Sequence, residues 1–191
     1  MPDRRALIPI VAGIVLVALC VWRVATNRPQ DYADQVAAAI AARPAPAFEA
    51  LDANNTLVRL ATFLGRHQII VLFFDGENGA DKDPELLRLR ERFPELQSHN
   101  VKVIAVTSAI PQQNRAAMER VGPFPFPLVS DVDPLSPAGL LRIHKQWGRV
   151  SETGKLKTGV FLIDRKGQVV STPDGPRPFA TVDEAVDSAI K

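Results

Sequence analysis

QIIVLFFDGENGADKDPELL, residues 68–87, decides how this chain is read. Gln68–Phe74 is a continuous apolar run, rich in β-branched and aromatic residues. It predicts a central strand buried on both faces. The other end carries the signature of a helix start, with Asp83 as N-cap, Pro84 at the first helical position and Glu85 in the first turn. Leu86, Leu89 and Phe93 then share one side of the helix. Arg88 and Arg92 stand one turn apart among Glu85, Glu91 and Glu95, as on a solvated face with i,i+3 and i,i+4 pairs. The acidic loop between strand and helix is the candidate site.

Outward from this segment the pattern alternates. Residues 56–60 (TLVRL) predict a short strand, and residues 101–108 (VKVIAVTS) a second buried one. Pro111–Val121 reads as a helix. Residues 123–131 (PFPFPLVSD) are extended, and their prolines assign them to an edge or an approach loop. Residues 134–148 predict a helix ending near Gly148. Residues 159–171 (GVFLIDRKGQVVS) predict a hairpin turning at Arg165, Lys166 and Gly167. Residues 181–191 close the chain as a helix, with Thr181 and Glu184 at capping-box spacing. Strand–helix–strand–helix, then a hairpin and a helix, implies an α/β layer fold with a mixed sheet.

The amino-terminal part has a different composition. Residues 6–22 (ALIPIVAGIVLVALCVW) carry no charge and as a helix span roughly 25 Å, near the short limit for a bilayer core. Arg23 can snorkel and lengthen the span. The division is then a tail at 1–5, a transmembrane anchor at 6–24, a linker with a short helix at 25–43, and a domain at 44–191. Two readings compete with the anchor. A cleaved signal peptide needs a small-x-small site, and VWRVATNRPQ has no clear one. A lipidated Cys20 needs a small residue before it, and Leu19 is not small. Arg4 and Arg5 before the span balance Arg23 and Arg28 after it, so charge does not orient it. The linker helix begins after its cap Asp31, with Tyr32, Val36, Ala39 and Ile40 on one side, and reads as a spacer against the membrane or the domain.

Arg4, Arg5, Arg23, Arg28 and Arg43, against Asp3, Asp31 and Asp34, account for the whole formal charge of +2. The domain is therefore charge-balanced, with no basic field to attract nucleic acid. Cys20 is the single cysteine, so no intramolecular disulfide forms.

From about Pro44 onward the order of segments resembles the peroxiredoxins and redoxins, the alkyl hydroperoxide reductase/thiol-specific antioxidant group of the thioredoxin fold. PAPAFEALDANNTLVRLATFLGRHQIIVLFF (residues 44–74) resembles the family's opening: an Ala-Pro-x-Phe segment, a short hairpin, a loop and the first central strand. Residues 101–131 resemble its second central strand, helix and "pfpllsD" segment. GVFLIDRKGQVV resembles its closing hairpin. The resemblance implies a central mixed sheet flanked by helices. It also implies an extracytoplasmic domain, because membrane-tethered thioredoxin-like proteins usually face away from the cytoplasm.

The family's catalytic stretch, Pro-x-x-x-Thr-x-x-Cys, does not carry over. With Glu85 set against a glutamate common after that cysteine, Lys82 falls at the cysteine, Gly79 at the threonine and Asp75 at the proline. Against the Cys-x-x-Cys of membrane-tethered thioredoxin-like reductases, Asn78 and Asp81 take the two cysteine positions. The family's arginine before the late strand falls at Thr158, with Lys157 the nearest cation. A thiolate attacks peroxide because sulfur is polarizable and its pKa can be lowered into range. Lys82 is no substitute as the redox centre.

Asp75, Glu77, Asp81, Asp83 and Glu85 invite a divalent-cation reading. A calcium loop begun at Asp75 would need glycine where Ala80 stands and a bidentate glutamate where Leu86 stands, and it fails at both. The acids read instead as favouring the helix N-terminus and solubilising the loop. His67, His99 and His144 have no metal-ligand spacing and read as surface or loop residues; Trp147 reads as core. No metal or other cofactor is expected. The expectation is a membrane-held peroxiredoxin-like domain without its redox cysteine, serving as an interaction or scaffold module with a protein partner. The alternatives are a redox-pathway protein acting with a thiol-bearing partner, and a small-ligand or divalent-cation module.

Overall fold

The structure, a computed structural model, describes residues 32–132, 140–172, 175 and 177–191. Four strands form the main sheet: β3 (Gln68–Phe74), β4 (Val101–Thr107), β5 (Leu128–Ser130) and β6 (Gly159–Ile163), in the order β5-β4-β3-β6. β4 runs parallel to β3, with Gln68 opposite Val101 and Phe74 opposite Thr107. β6 runs antiparallel on the other side of β3, with Phe73 opposite Gly159. The three apolar runs thus share one mixed sheet, with the two richest at its centre. β5 takes an edge, as its flanking prolines require. A separate ribbon, β1 (Glu49–Leu51) with β2 (Leu57–Arg59), is antiparallel.

Alternation along β3 builds two cores. Ile70, Leu72 and Phe74 face α2 (Pro84–Ser98), α3 (Pro111–Val121) and α5 (Val182–Ala189), packing with Leu86, Leu89, Ala117, Val182 and Val186. Ile69, Val71 and Phe73 face the opposite layer, where α1 (Tyr32–Ile40) and α4 (Arg142–Gln146) contribute Ala37 and Ile143. Phe48, Phe73, Trp147 and Phe161 pack there as an aromatic group, with centroids 5.0 to 6.3 Å apart. Trp147 is core, as its helix face predicts.

Three expectations change. The second arm of the closing hairpin is short: Val169 bridges Ile163 and the Val170 amide donates to the Leu162 carbonyl at 2.8 Å, while Gln168 and Val169 also pair with residues 42–44. The linker helix packs on the domain, one of its two expected supports. The compact unit starts at Tyr32, not at residue 44. The buried side of α1 is Ala33 and Ala37, whereas Tyr32 is 58% exposed. Small residues face inward because Gly148, at φ +62, brings its backbone against Ala33 and Ala37; a Cβ there would strike Ala33 O and Ala37 N. The predicted anchor at 6–24, Cys20 and the Asp31 cap lie outside the described residues. Among the described residues no helix is long and apolar enough to cross a membrane.

Candidate functional site

The acidic loop leaves the carboxyl end of β3, at the centre of the sheet, where open α/β folds place their sites. Asp75 ends the strand and caps a single 3₁₀ turn, Gly76–Asn78, its carboxylate accepting from the Glu77 amide at 3.1 Å. Ser108, at the end of the neighbouring strand, donates to the same Asp75 oxygen at 3.3 Å, and its Oγ accepts from the Gly76 amide at 3.3 Å. Gly76 is required here, because a Cβ would collide with Thr107 Oγ1 and Ala109. Gly79, at φ +86, reverses the chain; its carbonyl accepts from the Lys82 amide at 3.1 Å, and Ala80 is buried.

Asp81 then turns to α3, where Arg120 holds it through two hydrogen bonds of 2.7 and 2.6 Å. That contact keeps its carboxyl at about 2, well below the usual carboxylate range. Asp83 caps α2 as predicted, accepting from the Leu86 amide at 2.8 Å. Burial pushes its carboxyl above the ordinary value, against that hydrogen bond. Glu85 accepts from the Val182 amide at 2.6 Å and so ties the start of α2 to the start of α5. Four of the five acids are therefore engaged by protein donors. Asn78 and Lys82 are exposed. Among the described residues no three ligating side chains converge on a metal position.

Thr158 is exposed, and its carbonyl accepts from Arg149 Nη1 at 3.1 Å. Arg149 is 2% exposed, and its guanidinium lies over the Phe161 ring, 5.5 Å from the centroid. Gly159 makes room for it, since a Cβ there would stand 2.8 Å from Nη1. Sequence spacing points at Thr158 and Lys157; the structure sets the buried Arg149, which follows α4, against the Thr158 carbonyl. The sequence signals it only by placing an arginine amid Trp147, Gly148 and Val150.

The histidines divide. His99 is exposed, as read, and His67 half-buried. His144 corrects the expectation, being 1% exposed, with Nδ1 2.7 Å from Asp131 Oδ2 and its ring edge-on to Phe73. The Asp131 carboxylate also accepts from the amides of Ile143 and His144, at 3.0 and 2.7 Å. The pair lies thirteen residues apart in sequence, across the segment between β5 and α4, a separation no local periodicity reports.

This layout, with parallel β3 and β4, antiparallel β6 and a loop-to-helix site after β3, is reflected in known proteins. Residues 41–172 match the family model described as "AhpC/TSA family", more than half of the chain. The chain belongs to the AhpC/TSA family. Alkyl hydroperoxide reductase E of Mycobacterium bovis is 28% identical over 124 residues, 64% of this chain and 77% of that protein, and the protein of that name from Mycobacterium tuberculosis matches equally. The mitochondrial 2-Cys peroxiredoxin of Plasmodium falciparum superposes with a TM-score of 0.60 at 22% identity, covering 78% of this chain and 91% of that one. Peroxidoxin BcpB of M. tuberculosis gives 0.59 at 21%, covering 78% and 93%. The two structural likenesses carry the fold, a thioredoxin-like mixed sheet with helices on both faces.

Proposed function

We propose that this AhpC/TSA domain is a non-catalytic interaction module, held at a membrane by residues 6–24 and presented on the extracytoplasmic side. The observation that carries the reading is the occupancy of the loop after β3. The position matched to the family's cysteine holds an exposed lysine, Lys82, and residues 32–191 contain no cysteine. The surrounding carboxylates are committed to the fold: Asp75 to Glu77 and Ser108, Asp81 to Arg120, Asp83 to Leu86 and Glu85 to Val182. A site that uses its polar groups to fasten its own backbone keeps the scaffold and gives up the chemistry. The nearest thiol in sequence, Cys20, belongs to the apolar segment.

The test is hydrogen peroxide consumption by the full chain in detergent, with a thiol reductant present. The expected rate equals that of buffer with detergent. Turnover above it would overturn the non-catalytic reading. Membrane attachment is tested separately by alkaline carbonate extraction, in which the chain should stay with the membranes and a chain without residues 1–31 should be released.

A further inference from the structure

We propose that the cavity between β1 and the end of β5 takes an extended segment of a partner protein as an added strand. This rests on the interaction-module reading and gives it a site. β1 and β5 run antiparallel and meet at one bridge, Asp52↔Val129, where the Ala53 amide donates to the Leu128 carbonyl at 3.0 Å. Continued register would pair Leu51 with Ser130, Ala50 with Asp131 and Glu49 with Val132. Among the described residues no bridge continues past Asp52↔Val129. The strands part instead, and a cavity of about 440 Å³ opens, lined by those same six residues and closed by the start of α3 and the start of α4.

The ladders fix which backbone groups face it. On β1, the Asp52 amide donates to Thr56 and the Phe48 carbonyl accepts from Leu60, at 2.9 and 3.1 Å. Residues 48, 50 and 52 thus bond to β2. Alternation turns the N–H and C=O groups of Glu49 and Leu51 the other way, toward β5. On β5, the Pro127 carbonyl accepts from Ala105 and the Asp131 amide donates to Thr107, at 3.1 and 2.8 Å. Residues 127, 129 and 131 thus bond to β4, and the backbone of Ser130 turns toward β1. Two strand edges face each other across the gap, and open edges of this kind are templates for strand addition.

The side chains specify what enters. Leu51 and Ile110 are 44% and 38% exposed, an apolar rim at the cavity. Glu49 is neutralised by Arg59 at 2.8 Å. Asp131 is engaged by the amides of Ile143 and His144 and by His144 Nδ1. Arg142 lines the cavity, is exposed, and makes no ion pair among the described residues. The occupant that fits is an extended segment with alternating apolar side chains and one carboxylate placed for Arg142.

The experiment selects a displayed random heptapeptide library on the full chain in detergent micelles. The enriched peptides are then synthesised with and without N-methylation at alternate amides. Expected are sequences alternating apolar residues with one Asp or Glu, slowed amide exchange at Glu49 and Leu51 on binding, and about tenfold weaker binding for each methylated contact amide. Leu51→Pro removes a cavity-facing donor without removing a bond to β2 and should weaken binding about tenfold; Leu51→Ala, which keeps the donor, should weaken it less. Three results overturn the proposal: no enrichment over empty micelles, binding indifferent to N-methylation, or amides at 49–51 already protected by self-association without peptide. The exchange measurement on the wild-type chain keeps the test decisive if Leu51→Pro fails to fold. Peroxide consumption is read on the same preparation. A chain that consumes peroxide yet binds the peptides refutes only the non-catalytic reading, and an inert chain that selects nothing refutes only the strand-addition site.

Discussion

The Asp81 carboxylate accepts from both Nε and Nη2 of Arg120, at 2.7 and 2.6 Å, and so fastens the loop after β3 to the last turn of α3. Its side chain is 7% exposed, while Arg120 remains 55% exposed. The hydrogen bonds to Arg120 are the main cause that keeps the Asp81 carboxyl at about 2. A carboxyl lowered in the folded state contributes its stability above the unfolded value of about 4 and loses it as pH falls through the folded one. The loop should therefore hold at neutral pH and loosen from about pH 4 downward. Arg120→Ala should move the Asp81 titration up toward the ordinary range, read from its carboxyl carbon shift by NMR. An unmoved midpoint would show that another group sets it.

Much of this arrangement is legible in local sequence. Gln68–Phe74 is apolar at every position after the first because both faces of β3 are covered. Asp83, Pro84 and Glu85 mark the start of α2 because capping is settled within one turn. What local pattern misses depends on approach between distant elements. Ala33 and Ala37 look like filler until Gly148 is seen to bring α4's end against them. His144 looks exposed until Asp131 reaches it from the end of β5. Thr158 holds the place of the expected arginine, and the buried Arg149 reaches its carbonyl from farther back in the chain. The parting of β1 from β5 leaves no mark in either strand's own residues.

Gly148 tests the attachment of α1. Its positive φ alone makes alanine unfavourable by about 1–2 kcal/mol. Gly154 shares that conformation, at φ +79, with nothing within 4 Å of a would-be Cβ. Gly154→Ala should thus show the backbone cost alone. Gly148→Ala should cost more and free α1, because its Cβ meets Ala33 O and Ala37 N. Chemical denaturation gives the difference in stability. Limited proteolysis at Arg43 should accelerate in Gly148→Ala and not in Gly154→Ala; equal behaviour of the two would place α1 off this face.

Asp131 tests the buried pair. Asp131→Ala removes the acceptor of two amides at the start of α4 and leaves His144 Nδ1 without it. Unpaired buried polar groups are costly, so the loss should be about 2–4 kcal/mol. Asp131→Asn keeps an acceptor and the shape, and should recover part of it. His144→Ala leaves the two amide bonds in place and should cost less than Asp131→Ala. Urea denaturation of the three variants gives the ranking, and a His144→Ala cost above that of Asp131→Ala would contradict it.

Lys82→Cys tests whether the loop is an active site short of one atom or has been rebuilt. Position 82 precedes the cap, with the carboxylates of Asp81 and Asp83 on either side in sequence. The helix N-terminus would favour a thiolate, but the Asp83 carboxylate already occupies the Leu86 amide at 2.8 Å. The nearby Arg120 is bound to Asp81. Two flanking acids, with the Arg120 guanidinium committed to Asp81, favour the neutral thiol. The introduced cysteine should titrate at or above the ordinary value of about 8.5 and consume no peroxide at neutral pH. Adding Asp81→Asn, which also frees Arg120, should lower that value. Thiolate absorbance against pH measures both. A cysteine at 82 with a strongly depressed pKa would mean that the loop kept the electrostatics of a thiol site, and the scaffold reading would lose its main support.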